Sequence, residues 1–141
     1  MNTDNWFDAC FGFQEGFGKV KLNRKWNFIG KDGKLLSDVW FDWCDSFRKG
    51  FGKVKLHWKW NYVGKEGKLL SQTWFDYCYD FREGFGTVEL GGESNYIGKD
   101  GKLLSDVWFE DSTSFIEGFA SVKLNGKWSY IDKEGGMHED R

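Results

Sequence analysis

The chain has 141 residues, of which 40% are hydrophobic and 20% aromatic, and its formal net charge is −2. That is enough apolar material for a single buried core, and no apolar run approaches the roughly 20 residues that a membrane-spanning helix needs. The slightly negative balance speaks against a general nucleic-acid binder held by phosphate neutralisation.

Taken from the N-terminus, the first phrase is DNWFDACFGF at Asp4–Phe13, and DVWFDWCDSF at Asp38–Phe47 repeats it. Next comes GFGKVKL, where Gly18, Val20 and Leu22 alternate with Lys19 and Lys21; this period of two predicts a strand with one buried face. KWNFIG follows, short, aromatic and β-branched, and predicts a second strand. KDGK then places an Asp-Gly pair where a tight turn needs positive φ. LLSDVWFDWC reads as a third extended segment.

The same order recurs. Phe13, Phe47, Phe81 and Phe115 stand 34 residues apart without insertion or deletion, and Gly16, Phe17, Val20, Leu22 and Lys31 recur in step with them. Cut at the Trp-Phe pair, the chain becomes four units, 4–37, 38–71, 72–105 and 106–139. A fixed period of this size signals a repeat architecture. Paired helices would need two long stripes of helical period, and a glycine every few residues argues against both. The expected fold is therefore all-β, in four tandem repeats of about three short strands each, arranged as a solenoid-like stack or a small closed ring.

The recurring phrase F-x-E-G-F-G-x-V-x-L-x-x-K-W-N-Y-I-G-K-D-G-K resembles the WG β-repeat family, whose usual wording is Phe-x-Glu-Gly-x-Ala-x-Val, then Lys-Trp-Gly-Tyr-Ile-Asp, then a Gly-centred turn. One departure is consistent: the family's Gly after Trp is Asn27, Asn61, Asn95 and Ser129 here, and the Trp itself is Ser94 in the third copy. The resemblance implies a β-rich repeat fold, often attached to other domains, and no enzymatic activity shared across the family.

Little in the sequence suggests catalysis. His57 and His138 are the only histidines, and neither stands in a nucleophile or metal-ligand phrase. Asp8, Asp42, Asp76 and Glu110 share one place in the four units, which suits a carboxylate that satisfies backbone amides at a turn. Cys10, Cys44 and Cys78 also share one place, with Ser112 as the fourth, and read as small buried fillers rather than metal or redox ligands. The expectation is a non-enzyme with no cofactor and no metal. Without a signal-peptide pattern at MNTDNWFDAC, a cytoplasmic location is expected.

The four copies allow an internal comparison. Phe17, Val20, Leu22, Tyr62, Ile97, Gly33, Trp40 and Phe41, with their mates, fill columns that keep their character and so belong to the shared fold. The recurring Trp-Phe aromatics read as packing between repeats. Trp43, Trp58, Tyr77 and Tyr79 are instead large aromatics in columns that vary, and Arg48 and Arg82 stand near them. These six residues are the candidate binding patch, since aromatic and guanidinium groups dominate interface energetics. Drift, or packing peculiar to the middle units, is the alternative account.

The function expected of this patch is a non-catalytic binding module that mediates protein–protein interaction. The other reading is a small-ligand binder or sequestering protein for an anionic nucleotide or a sugar. One period separates Trp43 from Tyr77 and Arg48 from Arg82, which predicts a ladder engaging something acidic or planar. Repeat stacks ordinarily carry polar caps, yet only the C-terminal MHEDR is polar. The unfinished end is therefore expected to pair either with the last unit, or with another chain to give a homo-oligomer.

Overall fold

The structure is a computed structural model and describes residues 6–138. Asp4 and Asn5 of the first unit, and Glu139, Asp140 and Arg141 of the expected polar cap, lie outside the described residues. No helix occurs among the described residues. Each repeat is an antiparallel sheet made of one two-residue strand and a hairpin of two six-residue strands.

The first repeat holds β1 (Ala9–Cys10), β2 (Phe17–Leu22) and β3 (Lys25–Gly30), and the second β4 (Trp43–Cys44), β5 (Phe51–Leu56) and β6 (Lys59–Gly64). The third holds β7 (Tyr77–Cys78), β8 (Phe85–Leu90) and β9 (Glu93–Gly98). The fourth holds β10 (Asp111–Ser112), β11 (Phe119–Leu124), β12 (Lys127–Asp132) and an added β13 (Met137–His138). The register is the same throughout: Val20 faces Asn27, Val54 faces Asn61, Val88 faces Asn95 and Val122 faces Ser129.

Each hairpin closes through a two-residue turn with both residues at positive φ, at Asn23-Arg24, His57-Trp58, Gly91-Gly92 and Asn125-Gly126. That is the turn whose twist matches the strands it joins. The recurring carboxylate holds it. Asp8, Asp42, Asp76 and Glu110 accept from the backbone N–H of Asn23, His57, Gly91 and Asn125, at 2.9, 2.8, 2.7 and 2.7 Å. A second tight turn, Glu15-Gly16 and its mates, reverses the chain between the short strand and the hairpin.

The expected third strand is broken into a handover. Leu35 bridges Ile29 of its own hairpin, Phe41 then bridges Trp26, and Trp43–Cys44 pairs with β5 of the next repeat. Leu103, Phe109 and β10 repeat the sequence of contacts in the C-terminal half. The interruption has a cause in Asn27. Its side-chain amide donates to Ser37 O at 2.8 Å, and its Oδ1 accepts from Phe28 N at 2.7 Å and Ser37 N at 3.3 Å. Asn95 makes the same three bonds with Ser105 and Tyr96. The residue that departs from the family phrase is thus a fully buried clamp that bends the chain out of strand geometry.

By contact the chain forms two compact units, Met1–Gln72 and Thr73–Arg141. Within the first, Phe17 stacks on Phe47 at 4.6 Å and Phe28 meets Phe47 edge-on at 4.8 Å. Within the second, Phe85 stacks on Phe115 and Tyr96 meets it edge-on, each at 5.0 Å. Glu15 reinforces the first joint: its carboxylate accepts from Lys49 N and Gly50 N of the following repeat, both at 2.8 Å. Glu83 does the same for Glu117 N and Gly118 N, at 2.7 and 2.9 Å.

Two expectations are corrected. Of the Trp-Phe pair, only the phenylalanine is buried, as Phe41, Phe75 and Phe109; Trp6 is exposed, and Trp40, Trp74 and Trp108 are half-buried. Neighbouring residues of an extended segment point to opposite sides, so one position of the pair is excluded from the core. Among the cysteines, Cys44 and Cys78 are buried but Cys10 is exposed. Burial pushes the Cys44 thiol far up, consistent with an inert filler.

Candidate functional site

Strand β5 organises an aromatic cleft. On it Lys55 stands opposite Trp43 of β4 on one side and opposite Trp60 of β6 on the other, so the three side chains form one cross-strand row. The hairpin tip adds His57 and Trp58, and together with Asp42 these residues line a cleft of about 670 Å³.

Each wall is held differently. The Trp43 indole N–H donates to Asp45 Oδ1 at 2.7 Å, and its ring meets Trp26 edge-on at 5.0 Å. Lys19 places its ammonium 5.0 Å from the Trp43 ring centre while donating to Cys44 O at 3.2 Å. Lys55 sits 5.0 Å from the Trp58 ring and 5.6 Å from Trp60, a cation shared by two π-faces. Asp42 is engaged on both oxygens, by Lys25 and by the N–H of His57. The Lys25 hydrogen bond, and after it the His57 amide, holds its carboxyl below the usual range.

Trp58 shares its turn position with Arg24 of the first repeat, at φ 69°, but is the bulkier and more apolar of the two. It is 83% exposed, and its φ of 70° lies in the left-handed region. The corresponding positions in the third and fourth repeats are Gly92 and Gly126, which adopt that conformation without cost. A bulky side chain there is disfavoured, and a large apolar surface is left in water besides.

The residues of the sequence-derived patch are divided between the two compact units. Trp43 and Trp58 share the cleft. Arg48 and Arg82 flank the Lys49-Gly50 and Glu83-Gly84 turns of their own repeats, where they bridge Phe51 and Phe85. Tyr77 and Tyr79 belong to the second compact unit and pack on each other edge-on at 4.7 Å. The Tyr79 hydroxyl reaches Glu89 at 3.4 Å, and burial, then Glu89, raises its pKa. Tyr79 also borders a small polar cleft of about 200 Å³ with Thr87, Glu89 and Asp111. The residues missed were Lys55, Trp60, Asp42 and His57. Pairing KWNYVG against FGKVKL sets Lys55 opposite Trp60, and only the pairing of the short strand at Trp43–Cys44 sets it opposite Trp43 as well.

No His, Cys, Asp or Glu cluster among the described residues has the makings of a metal site. No helix among them is long and apolar enough to cross a membrane.

These features define a tandem-repeat protein of antiparallel hairpins with an aromatic cleft on one sheet. The chain belongs to the WG containing repeat family, whose model matches residues 7–26, 28–60, 60–93 and 96–128. No curated protein gives a significant match. Among solved structures, one similar chain is KlHsv2 with loop 6CD replaced by a Gly-Ser linker, at 9% identity and a TM-score of 0.47, covering 92% of this chain and 51% of that one. Another is a protein of unknown function from Bacteroides caccae, at 16% identity and a TM-score of 0.31, covering 91% of this chain and 57% of that one. The chain thus spans little more than half the length of either.

Proposed function

We propose that this protein is a non-catalytic binding module that engages a protein partner through the Trp43–Trp58–Trp60 cleft. The observation that carries the reading is Trp58, kept at a turn position that favours glycine and left 83% exposed. Backbone strain of this kind persists where a function requires the side chain. Tryptophan is the residue most enriched among binding hot spots, and preordered indoles lose little entropy on contact. Lys55, in the middle of the row, favours an extended segment with an apolar anchor and a nearby acidic side chain. Asp42 is tied to Lys25 and to the His57 amide, a turn-holding role that supports a reading without acid–base catalysis.

Selection from a displayed random-peptide library tests this. The expected result is a consensus pairing an aromatic or aliphatic residue with Asp or Glu, whose binding is lost in Trp58→Gly. That substitution restores the residue of the third and fourth repeats, so the fold is kept. A consensus that binds Trp58→Gly equally well overturns the reading. So does salt-sensitive binding of a nucleotide, or binding of a sugar, at this cleft when no peptide is selected.

A further inference from the structure

Inside each compact unit the joint between successive repeats has the same parts. A phenylalanine of the earlier repeat stacks on the opening phenylalanine of the later one, as Phe17 on Phe47 and Phe85 on Phe115. An aromatic of the earlier repeat's second long strand meets that same ring edge-on. A glutamate of the earlier repeat accepts two turn amides of the later one and lies near its lysine, Lys65 at 4.0 Å from Glu15 and Lys133 at 3.2 Å from Glu83. Finally, a turn glycine of the later repeat lies under a leucine carbonyl of the earlier one: a Cβ on Gly67 would stand 2.2 Å from Leu36 O, and on Gly135 2.9 Å from Leu104 O.

Both halves of this joint also occur with their aromatic rings largely exposed, although in the fourth repeat the His138 ring meets Phe119 edge-on at 5.5 Å. The fourth repeat presents the earlier half: Phe119 is exposed, Tyr130 is 42% exposed where Tyr96 is fully buried, and the Glu117 carboxylate has no partner among the described residues. The first repeat presents the later half. Phe13 is 47% exposed where Phe47 is 1% exposed, the Glu15 and Gly16 amides meet no acceptor among the described residues, and nothing lies within 4 Å of a Cβ on Gly33. Phe13, Gly33 and Lys31 line an apolar cleft of about 560 Å³ with Phe7, Phe11 and Ile29.

We infer that these two surfaces are the halves of one interface, and that two copies of this chain associate through them head to tail, the fourth repeat of one seated on the first repeat of the next. Phe119 then takes on Phe13 the place that Phe17 has on Phe47. Glu117 caps the Glu15-Gly16 turn and pairs with Lys31, while Tyr130 closes over the edge of Phe13. Such a contact is heterologous, so its halves are separable by mutation. It uses a different surface from the tryptophan cleft and does not depend on it.

The test breaks each half in turn. Glu117→Lys breaks the tail with little risk to the fold, because Lys49 fills that place in the second repeat at φ 53°, against 51° for Glu117. Phe13→Asp breaks the head, with Phe13→Ser as the substitute if near-ultraviolet circular dichroism shows that the first variant has not folded. In sedimentation equilibrium the wild type should associate with rising concentration, and Trp58→Gly should do the same. Each broken variant alone should be monomeric, and their equimolar mixture should form a dimer that grows no further, since each variant retains the half the other lacks. A wild type that stays monomeric at its highest soluble concentration overturns the inference. So does a Phe13 variant that still self-associates, or a mixture that stays monomeric. If neither Phe13 variant folds, Glu117→Lys against wild type decides: lost association supports the joint, and unchanged association refutes it.

Discussion

Replacing Asn95 by alanine should destabilise the second compact unit by about 3 kcal/mol. Asn95 is fully buried and makes three hydrogen bonds, to Ser105 O at 2.8 Å, from Tyr96 N at 2.8 Å and from Ser105 N at 3.3 Å. A bond of this kind contributes about 1 kcal/mol net, and a buried group left unpaired costs about 1–3 kcal/mol. Two good bonds and one long one, with Ser105 only partly screened from water, give a sum near the stated figure. At about 2–4 °C per kcal/mol for a chain of this size, the melting temperature should fall by about 6–12 °C. Thermal and urea unfolding followed by near-ultraviolet circular dichroism would measure it, with Asn27→Ala as the matched change in the first unit. Asn95→Gly, which restores the residue usual in the family, should cost at least as much, because glycine adds about 0.5–1 kcal/mol of backbone entropy. An Asn95→Ala variant within about 0.5 kcal/mol of wild type would refute the clamp.

Gly67→Ala should cost about 1–3 kcal/mol more than Gly33→Ala in a denaturant series: the two share a positive φ, but only Gly67 meets a carbonyl oxygen, and overpacking costs that much. Glu83 is held below the ordinary glutamate range by the Gly118 amide first and Lys133 after it. Its contribution is therefore complete above the unfolded value near 4.5 and is lost as pH falls through the lowered folded value, so Glu83→Gln should flatten the acid limb of a plot of melting temperature against pH. In the native protein a thiol reagent should modify Cys10 quickly and Cys44 only on unfolding, as mass spectrometry of the labelled chain would show; rapid labelling of Cys44 would contradict its burial.

The hairpins were legible because Val20, Val54, Val88 and Val122 alternate with outward residues and the turn residues recur at fixed offsets. The handover was not, because LLSDVWFDWC has the composition of a strand and only the side chain of Asn27 reveals where it bends. Comparing repeats singles out Trp43 and Trp58, and both line the cleft on β5. Lys55 and Trp60 do not stand out in such a comparison, since lysine and tryptophan also fill their places in the first and fourth repeats; the cross-strand register is what brings them into one row with Trp43. Spacing gives the column that Arg48 and Arg82 occupy, and that column lies beside the tight turn of each one's own repeat, where they bridge Phe51 and Phe85.

The handover also bears on how such a gene can change length. Residues 35–44 leave one hairpin through Leu35, cross it again at Phe41 and enter the next sheet at Trp43, and residues 103–112 repeat that path. A recombination event that inserts or deletes one whole phrase rebuilds the joint from a donor half and an acceptor half already matched, wherever in the phrase the crossover falls. Gain or loss of less than a whole phrase between Trp26 and Phe41 would shift that bridge out of register. Such a mismatch would penalise a change of period there, whereas the hairpin tips, which differ among the four repeats, carry no such constraint.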